Sequence, residues 1–172
     1  FRGEVAIVTG AAGRIGRAIA GLLAGEGATV HLVDRDTDRL GALARELVDE
    51  GAQATAIVLD LADRAATDDF CRGFLDRHGP AHMVVHAACP PVLATTGPDV
   101  DDATWDAMFE VGVGAARRLA GHFAPAMRQA GIRGRFLLLT SLHAETPRNF
   151  AHYSGTKAAM TMLMKELARS LG

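Results

Sequence analysis

The sequence predicts an α/β protein: a parallel β-sheet covered on both faces by helices. Three observations carry that reading. Short apolar runs alternate with longer amphipathic segments along the whole chain, the pattern of consecutive β-α units. The first apolar run, Val5-Ala6-Ile7-Val8-Thr9, leads straight into a glycine-rich turn, Gly10-Ala11-Ala12-Gly13-Arg14-Ile15-Gly16, and then into a helical pattern. The chain has 172 residues, enough for one domain over residues 1–172 to bury a sizeable core.

In chain order, residues 5–9 form the first strand. The helix after the turn carries Ile15, Ile19, Leu22 and Leu23 on one face. It stops near Gly25 and Gly27, where glycine permits the left-handed residue that ends many helices. Residues 28–33 form the second strand, which ends in Asp34. Leu40, Leu43, Leu47 and Val48 mark an amphipathic helix closed by Gly51. Residues 54–59 form the third strand, followed by Asp60, and a helix through Phe70, Phe74 and Leu75 ends at Gly79-Pro80. Residues 83–87 form the fourth strand. Pro90, Pro91, Gly97 and Pro98 then mark a loop. A long helix begins near Asp102 and carries Trp105, Met108, Phe109, Val113, Leu119 and Phe123, with a kink expected at Pro125 before Gly131. Residues 136–140 form the fifth strand, and a final helix containing Tyr153 runs to the end. There are no repeats and no low-complexity segments.

Composition excludes several classes of function. A formal net charge of -2 gives no basis for binding nucleic acid or an anionic membrane. Two cysteines, Cys71 and Cys89, without metal-type spacing point to a reducing compartment rather than a disulfide framework. No pair among the seven histidines falls in a zinc-ligand pattern, so no metal is expected. No apolar run approaches membrane-spanning length, and no secretory leader pattern is present. A soluble, cytoplasmic protein is expected.

The chemistry concentrates in Ala151-His152-Tyr153-Ser154-Gly155-Thr156-Lys157. Tyr153 and Lys157 are four residues apart at the start of a helix, so their side chains share a face. A free tyrosine, with a pKa of about 10, is a poor base. A lysine ammonium beside it favours the phenolate, which can take a proton from an alcohol or return one to a carbonyl. Ser141 ends an apolar run, placed to hydrogen-bond the same oxygen. At the other end of the chain, the turn at Gly10, Gly13 and Gly16 joins a strand to a helix, where backbone N–H groups can approach a pyrophosphate. Its spacing is not G-x-G-x-x-G. Asp34 follows 18 residues after Gly16, where a carboxylate can accept both ribose hydroxyls of NAD and repel the 2′-phosphate of NADP. Arg14 and Arg35 could instead pair with that phosphate. NAD is the expected cofactor, with NADP as the alternative.

Taken together, Thr9-Gly10-Ala11-Ala12-Gly13-Arg14-Ile15-Gly16, Asp60-Leu61, Ser141 and Tyr153-x-x-x-Lys157 resemble the short-chain dehydrogenase/reductase family over essentially the whole chain. The resemblance implies a Rossmann-type, doubly wound, three-layer α/β/α fold that binds a nicotinamide cofactor across its carboxyl edge. It implies Tyr153 as general acid/base, Lys157 as holder of the nicotinamide ribose and Ser141 as the group that positions the substrate oxygen. Cofactor contacts are implied for Gly10, Arg14, Ile15 and Gly16, for Asp34 and Arg35, and for Asp60 and Leu61. The same holds for His86, Ala87 and Ala88, together with Tyr153 and Lys157. His86-Ala87-Ala88-Cys89 stands where the family usually has Asn-Asn-Ala-Gly.

Four departures accompany the resemblance. Arg14 stands where the family's turn usually has glycine. Aligning Trp105-Asp106 with the family's Trp-Asp puts Gly112 at the place of its fourth catalytic residue, an asparagine. Ser141 precedes Tyr153 by 12 residues, one fewer than the family's commonest spacing, which Thr140 would restore. Family members also usually continue past this helix into a further strand and a substrate-covering section, whereas this sequence stops at Gly172.

The implied activity is hydride transfer between NAD(H) and a secondary alcohol or ketone. The alternatives are a cofactor-binding scaffold or sensor with little turnover, and an NAD-dependent epimerase or isomerase. Family members commonly form tetramers or dimers through the long helix and the Tyr153 helix, with Met108, Phe109, Phe123 and Met164 as candidates for that surface. Met160 and Met162 are expected in the core or an interface. His143, Glu145 and Arg148 lie between Ser141 and Tyr153, where a substrate could reach them; facing the site, they would favour a polar, hydroxylated or anionic one. His86 and His152 are expected to be hydrogen-bonded rather than to act as proton donors, and Cys89 to be inert.

Overall fold

A computed structural model describes residues 1–91 and 99–171. Five parallel strands form one sheet: β1 (Val5–Thr9), β2 (Thr29–Asp34), β3 (Ala54–Val58), β4 (Met83–His86) and β5 (Arg135–Leu138), in the order β3-β2-β1-β4-β5. Val5 of β1 pairs with Thr29 of β2, and Ala6 pairs with Met83 of β4 on the other side. The chain reverses its direction of travel across the sheet at β1 and β4, and in open α/β sheets such a switch point leaves a crevice at the carboxyl ends of the two strands.

Helices α1 (Arg14–Gly25) and α2 (Thr37–Asp49) cover one face, and α3 (Arg64–His78) and α5 (Ala115–Gln129) cover the other. The alternation of β1 sets this division. Ala6 and Val8 pack with Leu23, Leu40, Leu43 and Leu47, while Ile7 packs with Phe74, Leu119 and Phe123. Phe74 and Phe123 meet edge to face at 5.5 Å, and burying each such ring contributes roughly 1.5–3 kcal/mol. Between β4 and β5 run α4 (Asp102–Phe109), a π-turn (Glu110–Gly114) and α5; α6 (Ala151–Leu171) closes the described chain. Among the described residues, no helix is long and apolar enough to cross a membrane.

Several expectations need correction. Ile15 and Leu22 are 63% and 71% exposed, and Val48 is exposed as well. Helix α1 instead buries Gly16, Ala20, Leu23 and Ala24, because small residues let its backbone approach the sheet closely. Met108 and Phe123 are core residues and offer nothing to a subunit surface, and Met160 is fully buried; Met162 and Met164 are exposed. The long helix changes its hydrogen bonding at the π-turn, while α5 runs on through Pro125 to Gln129. Strand β2 starts at Thr29, β3 ends at Val58, β4 at His86, and β5 spans Arg135–Leu138, each slightly off its expected bounds. Of the expected loop, Pro90 and Pro91 lie outside helix and strand, while Gly97 and Pro98 fall outside the described residues.

Candidate active site

The turn after β1 is shaped by glycines where side chains have no room. Gly10 has φ +67°, and a Cβ there would lie 2.6 Å from the Cα of Ala88. A Cβ on Gly16 would lie 2.1 Å from the Gly10 carbonyl oxygen, so this glycine seats α1 on the turn. Gly13 donates its N–H to that carbonyl at 3.0 Å. Helices α2, α3 and α4 are each capped by an aspartate, Asp36, Asp63 and Asp101. Helix α1 has no side-chain cap and no acidic residue in its first turn. Its N–H groups and the positive end of its dipole are therefore open to an anion. Arg14 and Ile15 are exposed at this end. The chain fits a dinucleotide here: the donors suit a pyrophosphate, and the cleft beside them suits a nucleoside.

That cleft is lined by Gly10, Asp34, Arg35, Asp60, Leu61 and Ala88, with Leu59, Cys89, Pro90 and Val111. The structure thus gathers six of the expected cofactor residues, whereas Arg14, Ile15 and Gly16 are not in its lining. Both carboxylate oxygens of Asp34 accept backbone N–H groups, from Ala12 and Asp36, each at 3.0 Å. Its first task is therefore to hold the glycine turn. The Arg35 guanidinium reaches 4.0 Å from the Asp60 carboxylate.

His86 is fully buried, and its ring faces inward. Its Nε2 lies 2.9 Å from the Val111 carbonyl oxygen, which can only accept, so Nε2 carries the hydrogen. Burial above all, with the nearby charge of Lys157 adding to it and the bond to Val111 opposing, pushes the His86 pKa down to about 4. The neutral ring then accepts the Thr9 hydroxyl at Nδ1, 2.8 Å away. His86 is a strut from β1 and β4 to the π-turn, and its side chain offers nothing to a ligand. His152, expected to be hydrogen-bonded, is buried with neither ring nitrogen bonded among the described residues. Sequence reasoning missed Thr9 and Val111 as parts of this assembly, since no local signal couples positions so far apart.

Tyr153 and Lys157 lie on the first turns of α6, with the lysine Nζ 5.5 Å from the tyrosine ring centroid. Lys157 is 5% exposed; it donates to the Leu139 carbonyl at 2.7 Å, and burial lowers its pKa. Ser141 follows β5 as the cap of a 3₁₀ turn (Leu142–Ala144), and its Oγ accepts the His143 N–H at 3.2 Å. The His143 ring stands edge to face with Tyr153 at 5.0 Å. His143 thus joins Ser141 to Tyr153, whereas Glu145 and Arg148 are exposed.

Gly112 lies in the π-turn and packs on α6. A Cβ there would come 2.4 Å from the Thr156 Cγ2, so an asparagine side chain has no room. The π-turn is held from the side by Glu110, which pairs with Arg64 at 2.7 Å and with the nearly buried Arg118.

Comparison with known proteins gives one family. A family described as short chain dehydrogenase matches residues 4–172. The 2,3-dihydro-2,3-dihydroxybenzoate dehydrogenase of Bacillus subtilis is 33% identical, over 99% of this chain and 65% of its own length. A metagenomic short-chain oxidoreductase in complex with NADP superposes with a TM-score of 0.93 at 35% identity, over 99% of this chain and 77% of its own. L-sorbose reductase from Gluconobacter frateurii, complexed with NADPH and L-sorbose, gives 0.90 at 33% identity, over 99% and 65%.

Proposed function

The chain belongs to the short-chain dehydrogenase/reductase family, and from that premise we propose that it transfers a hydride between a nicotinamide dinucleotide and a secondary alcohol or ketone. The carrying observation is the Tyr153–Lys157 pair on α6, tied through His143 to the Ser141 hydroxyl. A nicotinamide bound along the carboxyl edge of the sheet supplies the hydride chemistry. Ser141 Oγ accepts a backbone N–H, which leaves its own hydrogen to donate to a ketone oxygen. Tyr153 gives its phenolic proton to that oxygen in reduction and takes it back in oxidation. The Lys157 ammonium, fixed by the Leu139 carbonyl, stabilises negative charge developing on the phenolic oxygen.

The open end of α1 would hold the pyrophosphate, and the cleft of Asp34 and Asp60 would hold the adenosine. The preference for NAD expected from Asp34 finds no support among the similar structures, which hold NADP or NADPH. Two N–H groups partly neutralise the Asp34 carboxylate, and Arg35 offers a guanidinium to a 2′-phosphate. NADP(H) is at least as suitable as NAD(H). A hydroxylated substrate is favoured by L-sorbose in one relative and by the dihydroxylated ring of another. The free thiols of Cys71 and Cys89 suit a reducing cytoplasm, and the exposed Met162 and Met164 on α6 suit a subunit contact.

Replacing Tyr153 with phenylalanine tests this reading. Turnover in a screen of hydroxy ketones with NADPH and NADH should fall at least about a hundredfold, with cofactor binding, read by fluorescence, unchanged. Retained turnover would exclude Tyr153 as the acid/base.

A further inference from the structure

His143 sits in the 3₁₀ turn with both its backbone and its ring held in place. Its backbone N–H is bound by Ser141 Oγ, its Nδ1 lies 3.3 Å from Ser154 Oγ, and its ring stands edge to face with Tyr153 at 5.0 Å. Phe150 packs against the ring at 5.9 Å. The side chain is half-buried, held in place yet still reachable. Nδ1 is committed to Ser154, while Nε2 takes no partner among the described residues.

The backbone of this residue is bound to the Ser141 hydroxyl and its ring stands against Tyr153, the two residues that would hold the reacting oxygen. From there the free ring nitrogen would meet the carbon next to the one that exchanges hydride. We propose that His143 reads a second oxygen on that neighbouring carbon, so that the site selects vicinal diols and α-hydroxy ketones. The inference rests on the hydride-transfer reading of the same site. Imidazole suits the task because Nε2 can donate to a carbonyl or accept from a hydroxyl, with the Ser154 hydroxyl taking the complementary role at Nδ1. A site built to hydrogen-bond a substrate oxygen discriminates against an analogue that lacks it, because the bound analogue leaves that partner unpaired and shielded from water.

The probes are 3-hydroxybutan-2-one and butan-2-one, reduced with NADPH. The parent protein should show the higher kcat/KM for the hydroxy ketone. His143→Phe keeps a ring against Tyr153 and removes both nitrogens; it should lower kcat/KM for the hydroxy ketone about tenfold more than for butan-2-one. His143→Gln, whose carboxamide can both donate and accept a hydrogen bond, should recover part of the loss. An equal loss on both ketones would reduce His143 to a packing residue and overturn the proposal, as would no loss at all. Imidazole resonances of His143 in the NADPH-bound protein report the contact without turnover. They should move with 3-hydroxybutan-2-one and stay still with butan-2-one; no movement, or the same movement with both, overturns the proposal. If neither ketone is reduced but the hydroxy ketone alone moves these resonances, His143 is supported and hydride transfer is what fails. Reduction of both ketones at equal kcat/KM leaves hydride transfer standing and removes the role of His143.

Discussion

Arg35 illustrates how one side chain can decide between two cofactors. Its guanidinium, largely in solvent, sits at the rim of the cleft beside Asp34 and 4.0 Å from the Asp60 carboxylate. A ribose hydroxyl has little to gain from it, whereas a 2′-phosphate gains a charge-assisted hydrogen bond, worth roughly 1.5–3 kcal/mol before solvent screening. Screening brings the expected effect to the lower end. Arg35→Ala should weaken NADPH binding about tenfold and leave NADH within about twofold, as read by fluorescence titration. Equal changes for the two cofactors would place the guanidinium away from the phosphate. The same scale shows which relations were legible in the chain. The nearness of Tyr153 and Lys157 was, because a helix fixes the relation of positions four apart. The strut at His86 was not, since its partners Thr9 and Val111 lie 77 and 25 positions away, and nothing local distinguishes a buried histidine from one facing a ligand.

At the scale of elements, packing distance decides what hydropathy alone leaves open. Helix α2 was legible because its large residues, Leu40, Leu43 and Leu47, are the ones it buries. Helix α1 misled for the opposite reason: it approaches the sheet through Gly16, Ala20 and Ala24 and leaves Ile15 and Leu22 outside. The π-turn shows the same principle between helices. Gly112 lets α6 come close enough for Thr156 Cγ2 to occupy the space where its side chain would begin, a relation spanning 44 positions with no sequence signature. Gly112→Asn should therefore destabilise the protein by about 2 kcal/mol, the usual cost of overpacking a tight contact, measured by urea unfolding. Thr156→Ala should recover most of that loss in the double variant, because it removes the obstructing methyl. It leaves no hydrogen bond broken, since the Thr156 hydroxyl is buried without a partner among the described residues. Strictly additive effects would mean the two residues do not compete for space.

For the whole molecule, His31 and His86, two of the three histidines buried among the described residues, make folding depend on pH in a definite direction. His31 on β2 packs edge to face on Phe74 at 4.8 Å and beside His78 at 4.9 Å. Burial first, and the His78 charge second, push its pKa down to about 4. His86 is likewise held at about 4 by burial on the opposite side of β1. In the unfolded chain both take up protons near pH 6.5. Above that pH neither state protonates them and stability is unaffected. As pH falls from 6.5 towards 4, the unfolded state binds protons that the native state refuses, so stability is lost across this window. Each pKa is depressed from 6.5 to about 4, so each histidine removes at most roughly 3 kcal/mol. Together they are comparable to the whole stability of an ordinary domain, about 5–15 kcal/mol. Urea midpoints measured from pH 7.5 to 4.5 should be flat above 6.5 and fall steadily below it. His31→Leu, which keeps an apolar contact with Phe74, should halve that slope without removing it, because His86 still resists protonation. A slope unchanged in this variant would mean that the acid sensitivity arises elsewhere, in the exposed ion pairs rather than in the two rings that flank the central strand.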